Sequence, residues 1–229
     1  MRIAKVFLLA GDLAALSHFY ATALELPVQE ATNGTLALEV GRSQLVFEPG
    51  AVDWDGFYHF AFDIPENQFG EAKTWLSQRV PLISDASGED EFDFVAWNAH
   101  AMYFYDPAGN IVELIARHDL DNGSDRPFGG YSLLGISEIG LTTDEVAGTV
   151  SLLGSQLGVG VYRGSQEETF TALGDDQGLL IVVKQGRTWF PDTGKQARLY
   201  PVAVLASTDD GETHCISGPP YRITRKSVP

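Results

Sequence analysis

The spacing of apolar and polar residues predicts the same order of elements at least three times along the chain: a strand, a helix and then further strands. Each predicted strand is a short apolar run between turn residues, and each predicted helix has apolar residues spaced for one buried face. The first copy has a strand at 3–9, a helix capped by Asp12 at 13–24, and strands at 35–40 and 43–47. The repeated unit is therefore a βαβββ module.

Two further copies follow the first. The second has a strand at 58–64, a helix at 67–79 and a closing hairpin at 102–113; the third has a strand at 136–141, a helix at 144–157, and strands at 170–173 and 179–183. Beyond Gly194 the pattern predicts strands at 199–205 and 221–223, joined by a turn around Asp209, with no room for a helix. A fourth copy would therefore be truncated.

This pattern predicts an α+β fold built from repeated βαβββ modules. Residues 1–117 are interpreted as a pair of modules. Residues 118–131 are polar and rich in turn residues, so we interpret them as a linker. Residues 132–229 then hold the third module and the truncated fourth.

The hairpin of the second module is the strongest local signal in the chain. Asp106-Pro107-Ala108-Gly109-Asn110 provides a fixed φ at proline and residues that tolerate positive φ at glycine and asparagine, which predicts a tight turn between two apolar strands. Glu113 lies three residues into the second strand. A carboxylate in an apolar strand is costly unless something pairs with it or binds it, so chemistry is expected there.

Composition narrows the range of partners. With 44% hydrophobic and 20% charged residues the chain is expected to fold, and its formal charge of −16 disfavours nucleic acid and anionic membranes. The single cysteine, Cys215, excludes an internal disulfide framework. Since neither a secretion signal nor an apolar run of bilayer length is evident, the expected location is the cytoplasm.

The repeat and two motifs resemble the vicinal oxygen chelate superfamily, which includes glyoxalase I, extradiol dioxygenases, fosfomycin resistance enzymes and bleomycin-binding proteins. The motifs are Phe19-Tyr20 late in the first helix and the 106–110 turn followed by Glu113. The resemblance covers residues 1–117 well and 132–185 more weakly. It implies curved mixed sheets that form half-barrels, arranged as two module pairs, with a candidate active cleft between modules one and two in residues 1–117.

The resemblance also implies a set of metal ligands. The ligand positions of the family correspond to His59 and Glu113 in the second module and to Gln44 in the first. At the remaining ligand position of the first module the chain has Lys5. The third module matches less well, with Glu138 at the first-strand position and Val182 at the last-strand position. The implied cofactor is a divalent metal ion, with Zn, Ni, Fe, Mn and Mg not distinguished, or no metal at all.

Each of these residues has a structural alternative. His59 and Glu113 could be a buried pair that satisfy each other, and Gln44 could bond a neighbouring side chain. Lys5 could contact a substrate anion, or pair with Glu113 in place of a metal. His100 is a candidate general acid or base, and Tyr103 is a second candidate catalytic residue if its side of the strand faces the cleft.

Ring cleavage is disfavoured by the same comparison. Tyr103, Asp106, Pro107, Gly109 and Glu113 match the end of the extradiol dioxygenase motif, but the histidine that this motif requires further upstream is absent. Ring cleavage resembles a task for two histidines and one carboxylate on iron, and only one histidine is in line.

Two functions therefore remain. The first is a glyoxalase-like enzyme that uses a divalent metal on a small substrate with vicinal oxygens, with lyase, isomerase and dioxygenase types left open. The second is a metal-free small-molecule binder of the bleomycin-resistance kind. The third module and tail are expected to be structural or to form a homodimer.

Overall fold

Strands dominate the architecture, which was obtained as a computed structural model and is described here for residues 1–30, 34–208, 213–218 and 220–227. The predicted α+β fold with curved mixed sheets is confirmed. No helix among the described residues is long and apolar enough to cross a membrane.

The first two modules each contain the predicted βαβββ order. Module one consists of β1 (Arg2–Ala10), α1 (Leu13–Thr22), β2 (Val28–Glu30), β3 (Leu36–Val40) and β4 (Ser43–Pro49). Module two consists of β5 (His59–Ile64), α2 (Phe69–Ser77), β6 (Phe92–Phe94), β7 (Ala99–Tyr105) and β8 (Ile111–Arg117). Asp12 caps α1 as predicted, since its side chain accepts a hydrogen bond from the backbone of Ala15 at 2.9 Å.

The remaining described residues form a complete third module and a fourth module in which they contain strands but no helix. Module three consists of β9 (Gly135–Thr143), α3 (Val146–Leu157), β10 (Val161–Gln166), β11 (Phe170–Asp175) and β12 (Gly178–Lys184). Module four consists of β13 (Val202–Thr208), β14 (Thr213–Gly218) and β15 (Tyr221–Ser227), one strand more than the sequence predicts. The turn predicted around Asp209 lies outside the described residues.

Module pairing differs from the sequence prediction. The first strand of module two, β5, pairs antiparallel with β9 of module three, with Ala61 opposite Glu138. The first strand of module one, β1, pairs antiparallel with β13 of module four. The expected cleft between modules one and two is therefore wrong, and modules two and three form one cup, called cup 2–3 below, while modules one and four form cup 1–4.

The two cups are joined through their first strands. In cup 2–3 the strands run β6-β7-β8-β5-β9-β12-β11-β10, and in cup 1–4 they run β2-β3-β4-β1-β13-β15-β14. A single register pair, Ile3 opposite Ile136, links β1 to β9. Every first strand is therefore central in its cup. Those of cup 2–3, β5 and β9, are buried on both faces, whereas β1 alternates between buried and half-buried side chains.

The hairpin turn of module two also ties the modules together. Gly109 takes a φ of 76°, as the sequence predicts, whereas Asn110 uses its side chain, which accepts from the backbone N–H of Tyr58 at 2.8 Å. Buried Asp106 accepts from the backbone N–H groups of Ala108 and Asn110, both at 3.0 Å. It also accepts from the Tyr20 hydroxyl at 2.8 Å, so the two motifs noted in the sequence are in direct contact.

Asp106→Ala is expected to lower the free energy of unfolding by about 3 kcal/mol, because it leaves several buried donors without an acceptor. Urea titration of the variant beside the wild type measures this loss. Asp125→Ala, at an exposed position between the modules, is the matched control and should lie within about 0.5 kcal/mol of wild type. An equal loss in both variants would contradict the proposed role of the turn.

Candidate metal centre and ligand pocket

Three neighbouring strands of cup 2–3 bring three ligand-type side chains to one place. Glu113 on β8 lies opposite Ala61 on β5, and Ala61 lies opposite Glu138 on β9. His59 is two residues before Ala61, so strand alternation places it on the same face. The residue between the two glutamates in this row, Ala61, has only a methyl side chain.

All three side chains are buried, and their potential ligand atoms lie within 4.8 Å of one another. His59 Nε2 is 3.5 Å from Glu113 Oε2. Two ligands that share one transition-metal ion at bonds of about 2.1 Å are themselves separated by roughly 3 to 3.5 Å. The observed separation therefore suits ligands of a common ion and is long for a direct hydrogen bond.

The histidine tautomer leaves a lone pair facing the carboxylates. His59 Nδ1 lies 3.2 Å from the carbonyl oxygen of Ile111. A carbonyl only accepts, so the proton is assigned to Nδ1 and Nε2 is unprotonated. Burial lowers the pKa of His59 to about 4, which keeps the ring neutral at pH 7. A ring nitrogen fixed in this way by a backbone carbonyl is the usual state of a metal-ligating histidine.

One arginine serves the two carboxylates. Buried Arg117 forms an ion pair with Glu138 and donates from Nε to Ser137 Oγ at 3.1 Å. Burial raises the pKa of Glu113 well above its usual range, the neighbouring Glu138 raises it further, and Arg117 and Tyr103 lower it in part. We call His59, Glu113, Glu138 and Arg117 together the pocket floor. The floor has one positive charge fewer than it would need for both carboxylates to be ionised.

The donor set fits a divalent cation. One neutral imidazole and two carboxylates are common ligands for such ions, and a bound ion would provide the missing positive charge. His59, Glu113 and Glu138 are the only group of three or more His, Cys, Asp or Glu residues that meets this spacing in the described part of the chain.

An aromatic pocket of about 370 Å³ opens above this floor. Six aromatic side chains line it, and we call them the aromatic collar: Phe94, Trp97, Tyr103, Phe170, Trp189 and Phe190. Neighbouring collar rings are in contact, with Tyr103 and Phe94 centred 5.6 and 5.7 Å from Phe190. Arg163, Arg187 and Glu167 also line the pocket.

Two collar residues come from residues 185–200, which connect module three to module four and which we call the strap. Trp189 of the strap lies 5.0 Å, centroid to centroid, from the His59 ring. Lys195 anchors the strap by donating from Nζ to the carbonyl oxygen of Gly109 in the hairpin turn. The Lys195 amine also lies 4.4 Å from the centre of the Phe57 ring.

The two modules of cup 2–3 are related by pseudo-symmetry, and Ile181 lies where a fourth ligand-type residue would be expected. Ile181 pairs with Gly140, two residues after Glu138, as Glu113 pairs with Ala61, two residues after His59. Ile181, and not Val182, is therefore the counterpart of Glu113. A Cβ on Gly140 would lie 2.7 Å from the Trp189 ring, so glycine makes room for the indole.

Comparison with solved structures identifies the fold. A proposed dioxygenase from Bacillus subtilis superposes with a TM-score of 0.63 at 14% identity, covering 99% of this chain and 85% of its own. Glyoxalase I from Zea mays superposes with a TM-score of 0.55 at 13% identity, covering 99% of this chain and 92% of its own. Both are vicinal oxygen chelate proteins.

The chain has the vicinal oxygen chelate fold. The fold implied by the resemblance of the repeat and the hairpin is thereby confirmed. No protein-family model matches the sequence, and no curated protein matches it.

Within this fold, the first-module residues expected at the site lie elsewhere. Gln44 is on β4 in cup 1–4 and donates to Glu39 Oε1 at 2.6 Å, so it does not join His59 and Glu113. This contact is the structural alternative considered for Gln44, a bond to a neighbouring side chain. Lys5 pairs with Gln44 across the β1–β4 ladder, and its amine lies 4.9 Å from the Phe7 ring centre. It does not pair with Glu113, because module one belongs to the other cup.

His100 and Tyr103 separate to opposite faces of β7. Tyr103 lines the pocket and donates to Glu113, so its side of β7 is the one that faces inward. His100 is an odd number of residues away, so it points to the outer face, where its ring is 5.4 Å from Phe69 at the start of α2. The expectation that His100 acts in the cleft is therefore wrong.

Sequence reasoning did not include Glu138, Arg117 or the strap in the site. Glu138 occupies the first-strand ligand position of module three, so placing module three beside module two would have brought it in. Arg117 in an apolar strand signals a buried partner in the same way as Glu113. The strap has no recognisable periodicity, and only its aromatic Trp189 and Phe190 suggest a packed segment.

Gly140→Ala is expected to displace the Trp189 indole and to lower the free energy of unfolding by about 1–3 kcal/mol through overpacking. Urea titration and tryptophan emission measure the two effects. Gly160→Ala is the control, because nothing lies within 4 Å of its added Cβ. Unchanged stability and emission in Gly140→Ala would contradict the proposed fit between Gly140 and Trp189.

Proposed function

We propose that the protein is an enzyme that acts on a small substrate bearing two neighbouring oxygens, with a divalent cation held by His59, Glu113 and Glu138. The observation that carries this proposal is the meeting of three buried ligand-type side chains at the floor of an aromatic pocket. Vicinal oxygens are suited to such a site because they bind one ion through both atoms.

The cation would act as a Lewis acid that polarises a substrate oxygen and stabilises negative charge developing on it. Three protein ligands leave coordination positions free for the substrate. Ile181, at the counterpart of Glu113, has no ligand atom and so does not occupy one of them. Two carboxylates with one imidazole do not match the set of two histidines and one carboxylate typical of non-haem iron oxygenases, so lyase or isomerase chemistry is favoured over ring cleavage.

Residues around the floor have separate tasks in this proposal. Burial and the neighbouring carboxylates raise the pKa of Tyr103 well above its usual value, so its Oη keeps its proton and orients Glu113 as a donor. Arg117 orients Glu138 through their ion pair. The aromatic collar excludes water and offers flat apolar surfaces to the substrate.

Metal binding tests the proposal directly. Protein stripped with a chelator and dialysed against Zn²⁺, Ni²⁺, Mn²⁺ or Fe²⁺ is expected to bind one equivalent of at least one of these ions at the pocket. Glu113→Gln and Glu138→Gln should each weaken that binding at least tenfold, because an amide is a poorer ligand than a carboxylate. Calorimetry and metal analysis provide the measurement.

The matched control is Glu168→Gln, an exposed glutamate outside the pocket lining, which should bind metal as the wild type does. Wild-type protein that binds none of the four ions, or binds them equally well after both pocket substitutions, would contradict the metal site.

Ile181→Glu is expected to tighten metal binding at the pocket by tenfold or more, since it adds a carboxylate at the counterpart of Glu113. Without metal, the same variant should unfold about 2 kcal/mol more easily, because a third buried carboxyl group has no partner. Calorimetry gives the affinity and thermal unfolding with and without metal gives the stability. Ile181→Gln is the neutral control, and tightening in both variants would contradict a ligand role for the carboxylate.

A metal-free binder of small organic cations is the second candidate. The Arg117–Glu138 ion pair favours it, because the floor already contains a cation beside one carboxylate. An aromatic collar above acidic groups is also suited to an ammonium group. This candidate is supported if the wild type binds no divalent metal, while tetramethylammonium quenches tryptophan emission in both the wild type and His59→Ala.

A further inference from the structure

A pair of histidines lies on the outer face of cup 2–3, separate from the pocket. His100 Nδ1 and His118 Nε2 are 2.8 Å apart, and their rings meet edge to face at 70°. Only one of these two facing nitrogens can hold a proton when both rings are neutral. The second nitrogen then offers a lone pair to the first.

Each ring has a carboxylate near its other nitrogen. His100 Nε2 lies 4.0 Å from Asp93 Oδ1, and His118 Nδ1 lies 3.7 Å from Glu66 Oε2. A metal-ligating histidine typically directs its second ring nitrogen at such an acceptor, which fixes the tautomer and raises ligand basicity. Both imidazoles therefore have an acceptor beside the nitrogen that would not bind the ion.

The fold holds the four side chains in this arrangement. Asp93 on β6 pairs directly with His100 on β7, and the Phe69 ring lies against the His100 imidazole. The backbone N–H of His118 donates to the carbonyl oxygen of Asn98 at 2.9 Å. The histidine side chains are 39% and 27% exposed, so an ion can reach them from solvent.

We propose that His100 Nδ1 and His118 Nε2 bind a divalent ion of the imidazole-preferring class, with water completing the ligand set. On binding, the two nitrogens move apart from 2.8 Å to the roughly 3 to 3.5 Å that separates two ligands of one ion. The shared hydrogen moves to an outer nitrogen, so that both rings direct N–H groups towards Asp93 and Glu66 and both facing lone pairs point at the ion. No net proton is released by this change of tautomer. Two protein ligands give weaker binding than the three-ligand pocket floor, and the site is independent of the proposed function.

Zinc binding in the full chain tests this site. His59→Ala removes a ligand from the pocket floor, and His59→Ala is expected to retain one equivalent of Zn²⁺ at pH 7.5 by equilibrium dialysis. Adding His118→Ala should weaken this equivalent at least tenfold. Adding Glu66→Gln in place of His118→Ala should weaken it several-fold and leave the stoichiometry unchanged.

His18→Ala in the same His59→Ala background is the matched control, since His18 is an exposed imidazole on α1, and it should leave zinc binding unchanged. Circular dichroism of every variant verifies folding. Failure of His59→Ala to bind zinc, or zinc binding that survives both His118→Ala and His100→Ala, overturns the proposal. If zinc binds the wild type only through His100 and His118, this site stands and the pocket metal site fails, so the two outcomes are distinguishable.

Discussion

The antiparallel pairing of β5 with β9 is the constraint on which the site depends. Because β5 carries His59 and pairs with β8 on its other side, this register places Glu113, Ala61 and Glu138 in one row across three strands. A shift of one residue would turn Glu138 away from the pocket, since alternate side chains of a strand face opposite sides. The site is therefore a property of the junction between two modules, and neither module contains it alone.

Charge is the second determinant of the site. The pocket floor brings together two carboxylates, one neutral imidazole and one guanidinium, all buried. Such a group is stable only if a carboxyl group holds a proton or another cation is present. Glu113 is therefore the residue whose protonation depends on whether another cation is present. Glu138 keeps its ion pair with Arg117 in either case.

Much of the fold was predictable from the sequence, because the module signal is local. Apolar runs, the Asp12 cap and the 106–110 turn each specify their own segment, and the family resemblance followed from Tyr20 and the turn. Which modules share a cup was not predictable in this way. The first strands of the modules are all rich in apolar residues and central, so strand pattern alone does not distinguish one neighbour from another.

The site residues divide along the same line. His59 and Glu113 belong to one module, so their proximity could be predicted, whereas the position of Glu138 beside them depends on the pairing of two modules. Strand parity would have prevented one error, since His100 and Tyr103 are three residues apart and a regular strand cannot direct both into one cleft. The packing of Trp189 against His59 connects distant segments and has no local signal.

The strap gives module four, which has no complete βαβββ order, a structural role. Trp189 and Phe190 close the pocket, yet they lie on the connection that leads out of module three, which is held at one end by Lys195 and at the other by the strands of module four. Excising modules two and three alone would leave this connection with a loose end. Module four thus tethers the strap, a wall of the pocket that lies outside the strands and helices of cup 2–3.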